Sequence, residues 1–205
     1  MFSIHNRLFL LIFFVVTLIS GCVAGKISVT KKNTVAGHET FFDPVGAANN
    51  RMKLALVYLE NDNMQQAKAN LQKALEYQPD SAIIHRVFAY YYQKVNEPKI
   101  AEKFYKKSLS LDPKDAHTHN NYGRFLCIRG RYKEAEQQFL IAIKSVSYSA
   151  VANTYENAGL CAEKAGITDK AIYYYGYALS HNPHKSYLNL LLAKFYVCLV
   201  ESSKW

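Results

Sequence analysis

Four cysteines and a pair of histidines are the residues of this chain whose side chains could do chemistry. The cysteines are Cys22, Cys127, Cys161 and Cys198. His117 and His119 are two residues apart, and side chains at that spacing on a helix do not share a face, so we expect solvated polar residues there and no metal ligands. The sequence contains no nucleotide-binding glycine loop, HExxH pair or Ser-His-Asp arrangement. We therefore expect a protein without enzymatic activity, cofactor or metal.

The residues before Cys22 form the first apolar run of the chain. The run covers residues 8–19, and Thr17 is its polar exception. A helix that spans hydrocarbon needs about 20 apolar residues, so this run is too short to cross a membrane. Arg7 before the run and small residues after it complete the layout of a secretory signal peptide. We predict that residues 1–21 are this signal peptide.

The end of this segment, Ile19-Ser20-Gly21-Cys22, resembles the lipobox of bacterial lipoproteins. In that family a diacylglyceryl thioether forms on the cysteine and cleavage occurs just before it. The resemblance implies that Cys22 is lipidated, and two or more acyl chains hold a protein stably at a membrane. An Asp after the cysteine favours the inner membrane in that family; because Val23 stands here, the resemblance implies the periplasmic face of the outer membrane. The alternative is an ordinary signal peptide with a chance cysteine.

The charge of the chain is basic, with 25 Lys and Arg against 16 Asp and Glu and a formal charge of +9. A basic balance can indicate nucleic-acid binding. The lysines are scattered rather than clustered, however, and an exported lipoprotein rarely meets nucleic acid. We expect a solvated basic surface, no nucleic acid and no small-molecule substrate; attraction to an acidic partner or to anionic headgroups is the alternative. Residues 22–43 lack a helical period and are predicted to be the lipidated cysteine and a flexible tether.

From residue 44 the chain follows a period of 34 residues. Five features recur in phase: a large-small pair, a large residue, an alanine, a second large residue and a second small residue. They are Leu54-Ala55, Phe88-Ala89 and Tyr122-Gly123; Tyr58, Tyr92 and Leu126; Ala67, Ala101 and Ala135; Leu71, Tyr105 and Phe139; and Ala74, Ser108 and Ala142. Pro79 and Pro113 close the first two units, whereas residues 145–149 form a loop that shifts the fourth unit by two residues.

This pattern resembles the tetratricopeptide repeat, which implies an all-α solenoid of antiparallel helix pairs in residues 44–205. The predicted units are 48–81, 82–115, 116–151 and 152–185, with a partial unit at 186–205. In the second unit we predict a first helix from Ser81 to Lys94 and a second helix from Pro98 to Leu111, with Asn96 able to cap the latter. Stacked units share one continuous core, to which repeat position assigns Tyr92 and Tyr175.

Tetratricopeptide arrays bind peptides or proteins in a groove lined by the first helix of each unit. The groove positions are the second, fifth, ninth and twelfth of a unit. They are Asn49, Met52, Leu56 and Leu59; Ile83, Arg86, Tyr90 and Gln93; and His117, Asn120, Arg124 and Cys127. The apolar set of the first unit could hold an amphipathic helix or, alternatively, pack on the tether around Phe41 and Phe42.

A more specific resemblance rests on residues 120–139 and 157–161. The matching residues are Asn120-Asn121-Tyr122-Gly123-Arg124-Phe125-Leu126-Cys127, Gly130-Arg131-Tyr132, Glu134-Ala135, Phe139 and Asn157-Ala158-Gly159-Leu160-Cys161. With the lipobox and the repeats, they resemble the type IV pilus biogenesis lipoproteins, the pilotins. The resemblance implies an outer-membrane lipoprotein that binds the pilus secretin through its groove and assists its localisation and multimerisation. A generic periplasmic scaffold, or an accessory subunit that binds another envelope protein, is the alternative.

The same resemblance marks Cys127 and Cys161, near the ends of the first helices of units three and four. A periplasm permits disulfides. Neighbouring helix axes lie roughly 8–10 Å apart and a disulfide needs Cα atoms roughly 4.4–6.8 Å apart, so the pair is within reach if both side chains face the seam. We expect this bond and leave Cys198 as a free thiol; two separate small core residues are the alternative.

The last predicted helix, from about Lys185 to Val200, is apolar around much of its circumference. Its apolar residues include Tyr187, Leu190, Leu191, Leu192, Phe195, Tyr196 and Leu199. Repeat arrays normally finish with a helix whose outer face is polar, and the pilotins usually carry six repeats. We hypothesise a truncated family member whose last helix binds a partner or lowers the stability of the protein, while units one to three keep partner binding.

Overall fold

The computed structural model describes residues 33–35, 38–40, 42–145 and 148–202. Cys22, the predicted signal peptide and Phe41 lie outside these residues, and the side chains of Cys198 and Leu199 are likewise not described. Among the described residues, no helix combines the length and apolarity that crossing a membrane requires. The chain divides into two units, residues 1–42 and residues 43–205, which we describe separately.

Two short strands lie within the segment predicted to be a tether. The strands are β1 (Asn33–Val35) and β2 (His38–Thr40). They pair antiparallel, with Asn33 opposite Thr40. The tether is therefore not wholly irregular, because these six residues form a minimal two-stranded ladder.

The described part of residues 43–205 is helical, which confirms the predicted fold class. Its helices are α1 (Pro44–Glu60), α2 (Met64–Tyr77), α3 (Ala82–Lys94), α4 (Pro98–Leu111), α5 (Ala116–Ile128), α6 (Tyr132–Ile143), α7 (Val151–Lys164), α8 (Thr168–His181) and α9 (Ser186–Ser202). Successive helices pack as the pairs α1–α2, α3–α4, α5–α6 and α7–α8. The first helices of neighbouring units also contact each other, α1 with α3, α3 with α5 and α5 with α7, so they form one continuous layer.

Local sequence explains where the helices begin. The side chain of Asp115 accepts a hydrogen bond from the backbone N–H of His117 (3.0 Å) and caps α5. Pro98 occupies the first turn of α4, where its missing N–H is not needed. Asn96 does not cap that helix as predicted, because Glu97 is the residue that precedes it. Asn96 instead has φ 57°, the left-handed conformation that reverses the chain between α3 and α4.

Two buried histidines tie the first helix of a unit to the turn before it. Nε2 of His85 donates to the carbonyl oxygen of Pro79 at 2.9 Å, and Nε2 of His119 donates to that of Pro113 at 3.0 Å. The prediction that His119 is solvated is therefore wrong, because this residue is 6% exposed and its Nε2 is hydrogen-bonded to Pro113. His117 is exposed, and its ring meets the edge of Tyr148 at 4.9 Å between centroids.

Two larger apolar clusters form the core. The amino-terminal cluster comprises Ala48, Ala55, Leu59, Ala67, Leu71, Ala74, Ile84, Val87, Phe88 and Tyr91. The carboxyl-terminal cluster comprises Ala89, Ala101, Tyr105, Tyr122, Phe125, Leu126, Cys127, Ala135, Phe139, Ala158, Cys161, Ala162, Ala171, Tyr174, Tyr175, Ala178 and Leu188. Tyr175 is fully buried, as predicted, but Tyr92 is only half-buried, and its neighbour Tyr91 is 7% exposed.

Helix α9 has one buried face and one exposed face. Leu188 is fully buried, and Leu191, Leu192 and Phe195 pack against the carboxyl-terminal cluster. The exposed large apolar side chains are Tyr187, Leu190, Tyr196 and Val197, and Asn189 and Lys194 are exposed beside them. The helix is therefore apolar on both sides, as its sequence indicates.

Candidate functional site

The candidate site is the groove formed by the first helices of the units. Of the predicted groove residues, Asn49, Ile83, Tyr90, His117 and Arg124 are exposed. Met52, Leu56, Arg86 and Gln93 are half-buried. Leu59, Asn120 and Cys127 are buried. The exposed and half-buried residues leave a surface that is apolar at α1, mixed at α3 and polar at α5.

Three predicted groove positions, Leu59, Asn120 and Cys127, are buried, and the first two are held by contacts within the fold. Leu59 has no exposed surface and belongs to the amino-terminal cluster, because α2 and α3 close over it. Asn120 is 9% exposed, and its Oδ1 accepts a hydrogen bond from Nδ2 of Asn157 at 3.0 Å. The expectation that these two residues contact a partner is wrong; Asn120 instead links α5 to α7.

The twelfth position of each unit faces the twenty-fourth position, on the second helix of the same unit. In the second unit the hydroxyl of Tyr105 donates to Oε1 of Gln93 at 3.2 Å. In the fourth unit the hydroxyl of Tyr175 donates to Oε2 of Glu163 at 2.8 Å. The first unit pairs Leu59 with Leu71, and both are fully buried. The polar side chains at the twelfth position, Gln93 and Glu163, thus each accept a hydrogen bond from a tyrosine hydroxyl on the second helix of the unit.

In the third unit, this position is Cys127, which forms a disulfide with Cys161. The Cα atoms of the two cysteines are 5.7 Å apart. The twenty-fourth position of this unit is Phe139, which has no hydroxyl. A tyrosine hydroxyl at this position would find no good hydrogen-bond acceptor in the bonded sulfur. The disulfide crosslinks α5 to α7 at the floor of the groove.

The cations of the groove differ in their partners. Nη1 of Arg86 lies 2.6 Å from Oδ2 of Asp115, so its charge is neutralised. Arg124 is exposed and forms no ion pair or hydrogen bond within the part of the chain that the structure describes. Both charges act on Tyr105: burial raises the pKa of this hydroxyl, whereas Arg124 and then Arg86 lower it.

The groove continues into units four and five through residues that our sequence analysis did not assign to the groove. They are Asn153, Glu156, Leu160 and Glu163 on α7, and Tyr187, Leu190, Lys194 and Val197 on α9. Nζ of Lys185 contacts Glu156 and lies 2.7 Å from Oδ1 of Asn153. Burial, together with a hydrogen bond to Glu156, raises the pKa of Tyr187 to about 12. Carrying the repeat register past the two-residue shift would have identified all of these positions.

Comparison with known proteins supports the repeat assignment. The sequence profile of the tetratricopeptide repeat matches residues 48–81, 87–115 and 104–137. An uncharacterized protein of Haemophilus influenzae is 40% identical over 123 residues, which are 60% of this chain and 69% of that protein. The type IV pilus assembly protein PilF of Pseudomonas aeruginosa is 42% identical over 109 residues, which are 53% of this chain. The match spans 43% of that PilF sequence, less than half of its length.

Solved structures give the same assignment. The structure of Pseudomonas aeruginosa PilF superimposes with a TM-score of 0.73 and 34% identity, covering 77% of this chain and 71% of that one. PilW, described as a widely conserved type IV pilus biogenesis factor, superimposes with a TM-score of 0.65 and 27% identity. The superposition covers 75% of this chain and 78% of the PilW chain. This chain therefore belongs to the family of tetratricopeptide-repeat proteins that includes PilF of Pseudomonas aeruginosa.

Proposed function

We propose that this chain is a lipid-anchored, non-catalytic scaffold of type IV pilus biogenesis at the periplasmic face of the outer membrane. In this role a segment of the pilus secretin lies in the groove, and the protein assists the outer-membrane localisation and multimerisation of the secretin. The likeness to PilF over most of both structures supports the proposal. Lipidation at Cys22 would hold the groove close to the membrane in which the secretin inserts.

The chemistry of the groove favours binding over catalysis. The acidic side chains that approach its floor are engaged: Glu156 contacts Lys185, and Glu163 accepts a hydrogen bond from Tyr175. The surface left to a partner consists of aliphatic side chains, Tyr90 and a few polar groups. Tyrosine is enriched at the energetically dominant positions of protein interfaces, because it combines apolar area with a hydroxyl.

Secretin assembly in the native host tests this proposal. Unboiled membranes of a strain that lacks the gene are blotted for secretin multimers, and the strain is then complemented with variants. We expect multimers to disappear on deletion, return with the wild type, and fall at least severalfold with Tyr90→Ala. Tyr173→Ala is the matched control, because Tyr173 is an exposed tyrosine on α8, a second helix outside the groove. Multimers that persist in the deleted strain would rule out the assembly role.

The anchor is tested in the same strains. Cys22→Ala should abolish incorporation of labelled palmitate and release the protein from the outer membrane. Because two acyl chains or more are needed for stable attachment, loss of the thioether removes the anchor altogether. Incorporation of palmitate into the variant would refute lipidation at Cys22.

A further inference from the structure

The ninth positions of the units form a row across the groove. The row runs Leu56 on α1, Tyr90 on α3, Arg124 on α5 and Leu160 on α7. Tyr90 is 38% exposed and Leu160 is 42% exposed. The ninth position of the partial fifth unit, Lys194 on α9, is also exposed. The row therefore presents two exposed cations, and Arg124 has an exposed apolar or aromatic side chain on each side.

Arg124 differs from Arg86 and Lys185 in having no carboxylate partner among the described residues; Lys194 at the far end of the row has none either, but Arg124 is the cation that lies between Tyr90 and Leu160. Arg86 is paired with Asp115 at 2.6 Å, and Lys185 is paired with Glu156. Within the described part of the chain, Arg124 has neither an ion pair nor a hydrogen bond. Its charge is thus available to a ligand.

The surroundings of Arg124 are held in place before any ligand arrives. One turn earlier on α5, Asn120 is hydrogen-bonded to Asn157 on α7 at 3.0 Å. One turn later, Cys127 is covalently bound to Cys161 on α7. Beneath the groove, the hydroxyl of Tyr105 is fixed by its hydrogen bond to Gln93. A fixed backbone lowers the entropic cost of binding at this point.

We propose that Arg124 receives a side-chain carboxylate of an extended acidic segment of a protein partner, whose flanking apolar residues contact Tyr90 and Leu160. The proposal rests on the proposed function, since it assigns a chemistry to the segment that the groove binds. A guanidinium donates two parallel hydrogen bonds to a carboxylate, which gives direction as well as attraction. The complementarity of charge selects an acidic partner over a basic one.

The spacing of the helices sets the spacing of the partner's residues. Neighbouring helix axes lie roughly 8–10 Å apart, and an extended chain advances roughly 3.3 Å per residue. The apolar residues of the segment therefore lie about three positions before and after its Asp or Glu. This arrangement distinguishes the segment from an amphipathic helix laid along the groove, whose apolar residues follow the helical repeat.

Selection from a peptide library tests the inference. The full chain, purified in detergent, is immobilised and used to select from a displayed library of random twelve-residue peptides. Wild type, Arg124→Gln and Lys103→Gln are compared; Lys103 is the matched control, because it is an exposed lysine on α4 that forms no ion pair among the described residues. We expect Asp or Glu to be enriched between two apolar residues with wild type and Lys103→Gln, and not with Arg124→Gln.

The affinities of a selected peptide complete the test. Replacing its acidic residue with the corresponding amide should weaken binding to wild type about tenfold and leave binding to Arg124→Gln unchanged. Enrichment of peptides without an acidic preference would overturn this inference and leave groove binding intact. If no peptide is enriched at all, groove binding of peptides fails and the inference fails with it. Secretin blotting separately decides the assembly role.

Discussion

In the third and fourth units, the size of the eighth residue is limited by the ring that faces it from the second helix. A Cβ added at Gly123 would lie 2.7 Å from Cε1 of Phe139, and one added at Gly159 would lie 2.5 Å from Cε1 of Tyr175. Both rings are fully buried. These two glycines are therefore required by close packing of helix on helix rather than by backbone conformation.

Gly159→Ala should lower the free energy of unfolding by about 1–2 kcal/mol, because overpacking at Tyr175 outweighs the higher helix propensity of alanine. Gly176→Ala is the control, since an added Cβ there meets no atom within 4 Å. The control should raise the free energy of unfolding by about 0.4–1 kcal/mol. Urea unfolding of the two variants measures the change in the free energy of unfolding and its sign in each case. Equal stabilisation by both substitutions would contradict the packing argument.

Glu102 on α4 accepts hydrogen bonds from three donors, which lie on α4, on α5 and on the residue that precedes α6. The hydroxyl of Tyr122, Nη1 of Arg131 and Nζ of Lys106 each lie 2.9 Å from its carboxylate. Burial by itself would raise the pKa of Glu102, but the hydrogen bonds from Lys106, Arg131 and Tyr122 outweigh it and lower the pKa to about 2. The folded state thus favours the ionised carboxylate more than the unfolded chain does.

This shift predicts a loss of stability in acid. As the pH falls below 4.5, the ordinary pKa of this carboxyl, Glu102 becomes protonated in the unfolded chain. In the folded protein Glu102 stays ionised until about pH 2. The free energy of unfolding therefore falls over this window, and Glu102 contributes up to about 3 kcal/mol of the fall. Urea midpoints at pH 7 and pH 3 should differ less in Glu102→Gln than in wild type. Glu97→Gln, an exposed carboxylate without an ion pair among the described residues, should keep the wild-type difference.

At the scale of elements, the helices could be predicted closely because their signals are local. Repeat phase, Ser81 and Pro98 place the helices of the second unit to within a residue. Burial within a helix was predicted less well, because it depends on distant residues. Leu59 is covered by other helices, and Tyr91 is a buried member of the amino-terminal cluster, whereas Tyr92 is only half-buried against it. A repeat register predicts which face of a helix a residue lies on. Whether that residue is buried in the core or exposed in the groove depends on the side chains of other helices that pack on it.

The disulfide is the strongest single link between α5 and α7, and we predict that it forms in protein exported to the periplasm. The bonded cysteines are separated by 34 residues, so in the chain-entropy model the crosslink stabilises the fold by about 4 kcal/mol. The double variant Cys127→Ala, Cys161→Ala should lower the free energy of unfolding by about 2–5 kcal/mol. Alkylation of denatured protein without reductant should leave both native thiols unmodified. Modification of both would show that the bond does not form there.

At the scale of the molecule, two side chains connect the two larger core clusters among the residues that the structure describes. Tyr92 on α3 and Phe104 on α4 are half-buried, and each packs against both the amino-terminal and the carboxyl-terminal cluster. The ring of Phe104 is 4.9 Å from that of Phe88, 5.3 Å from that of Tyr92 and 5.6 Å from that of His85, between centroids. In a repeat array, stability is the sum of unit terms and of interface terms between neighbours. Phe104 therefore packs α4 against α3 within the second unit, at the point where the two clusters meet.

Phe104→Ala should uncouple the amino-terminal cluster from the remainder of the array. Removing a half-buried aromatic ring costs about 2–3 kcal/mol, somewhat less than a fully buried one. Because α7 and α8 lie beyond the lost contact and α7 is crosslinked to α5, we expect faster amide hydrogen exchange in α1 to α3 and little change in α7 and α8. Phe139→Ala is the matched control, since Phe139 is fully buried in the carboxyl-terminal cluster and its loss should accelerate exchange in α5 to α8 instead. If the two variants accelerate exchange uniformly along the chain, the array unfolds as one cooperative unit and Phe104 has no special coupling role.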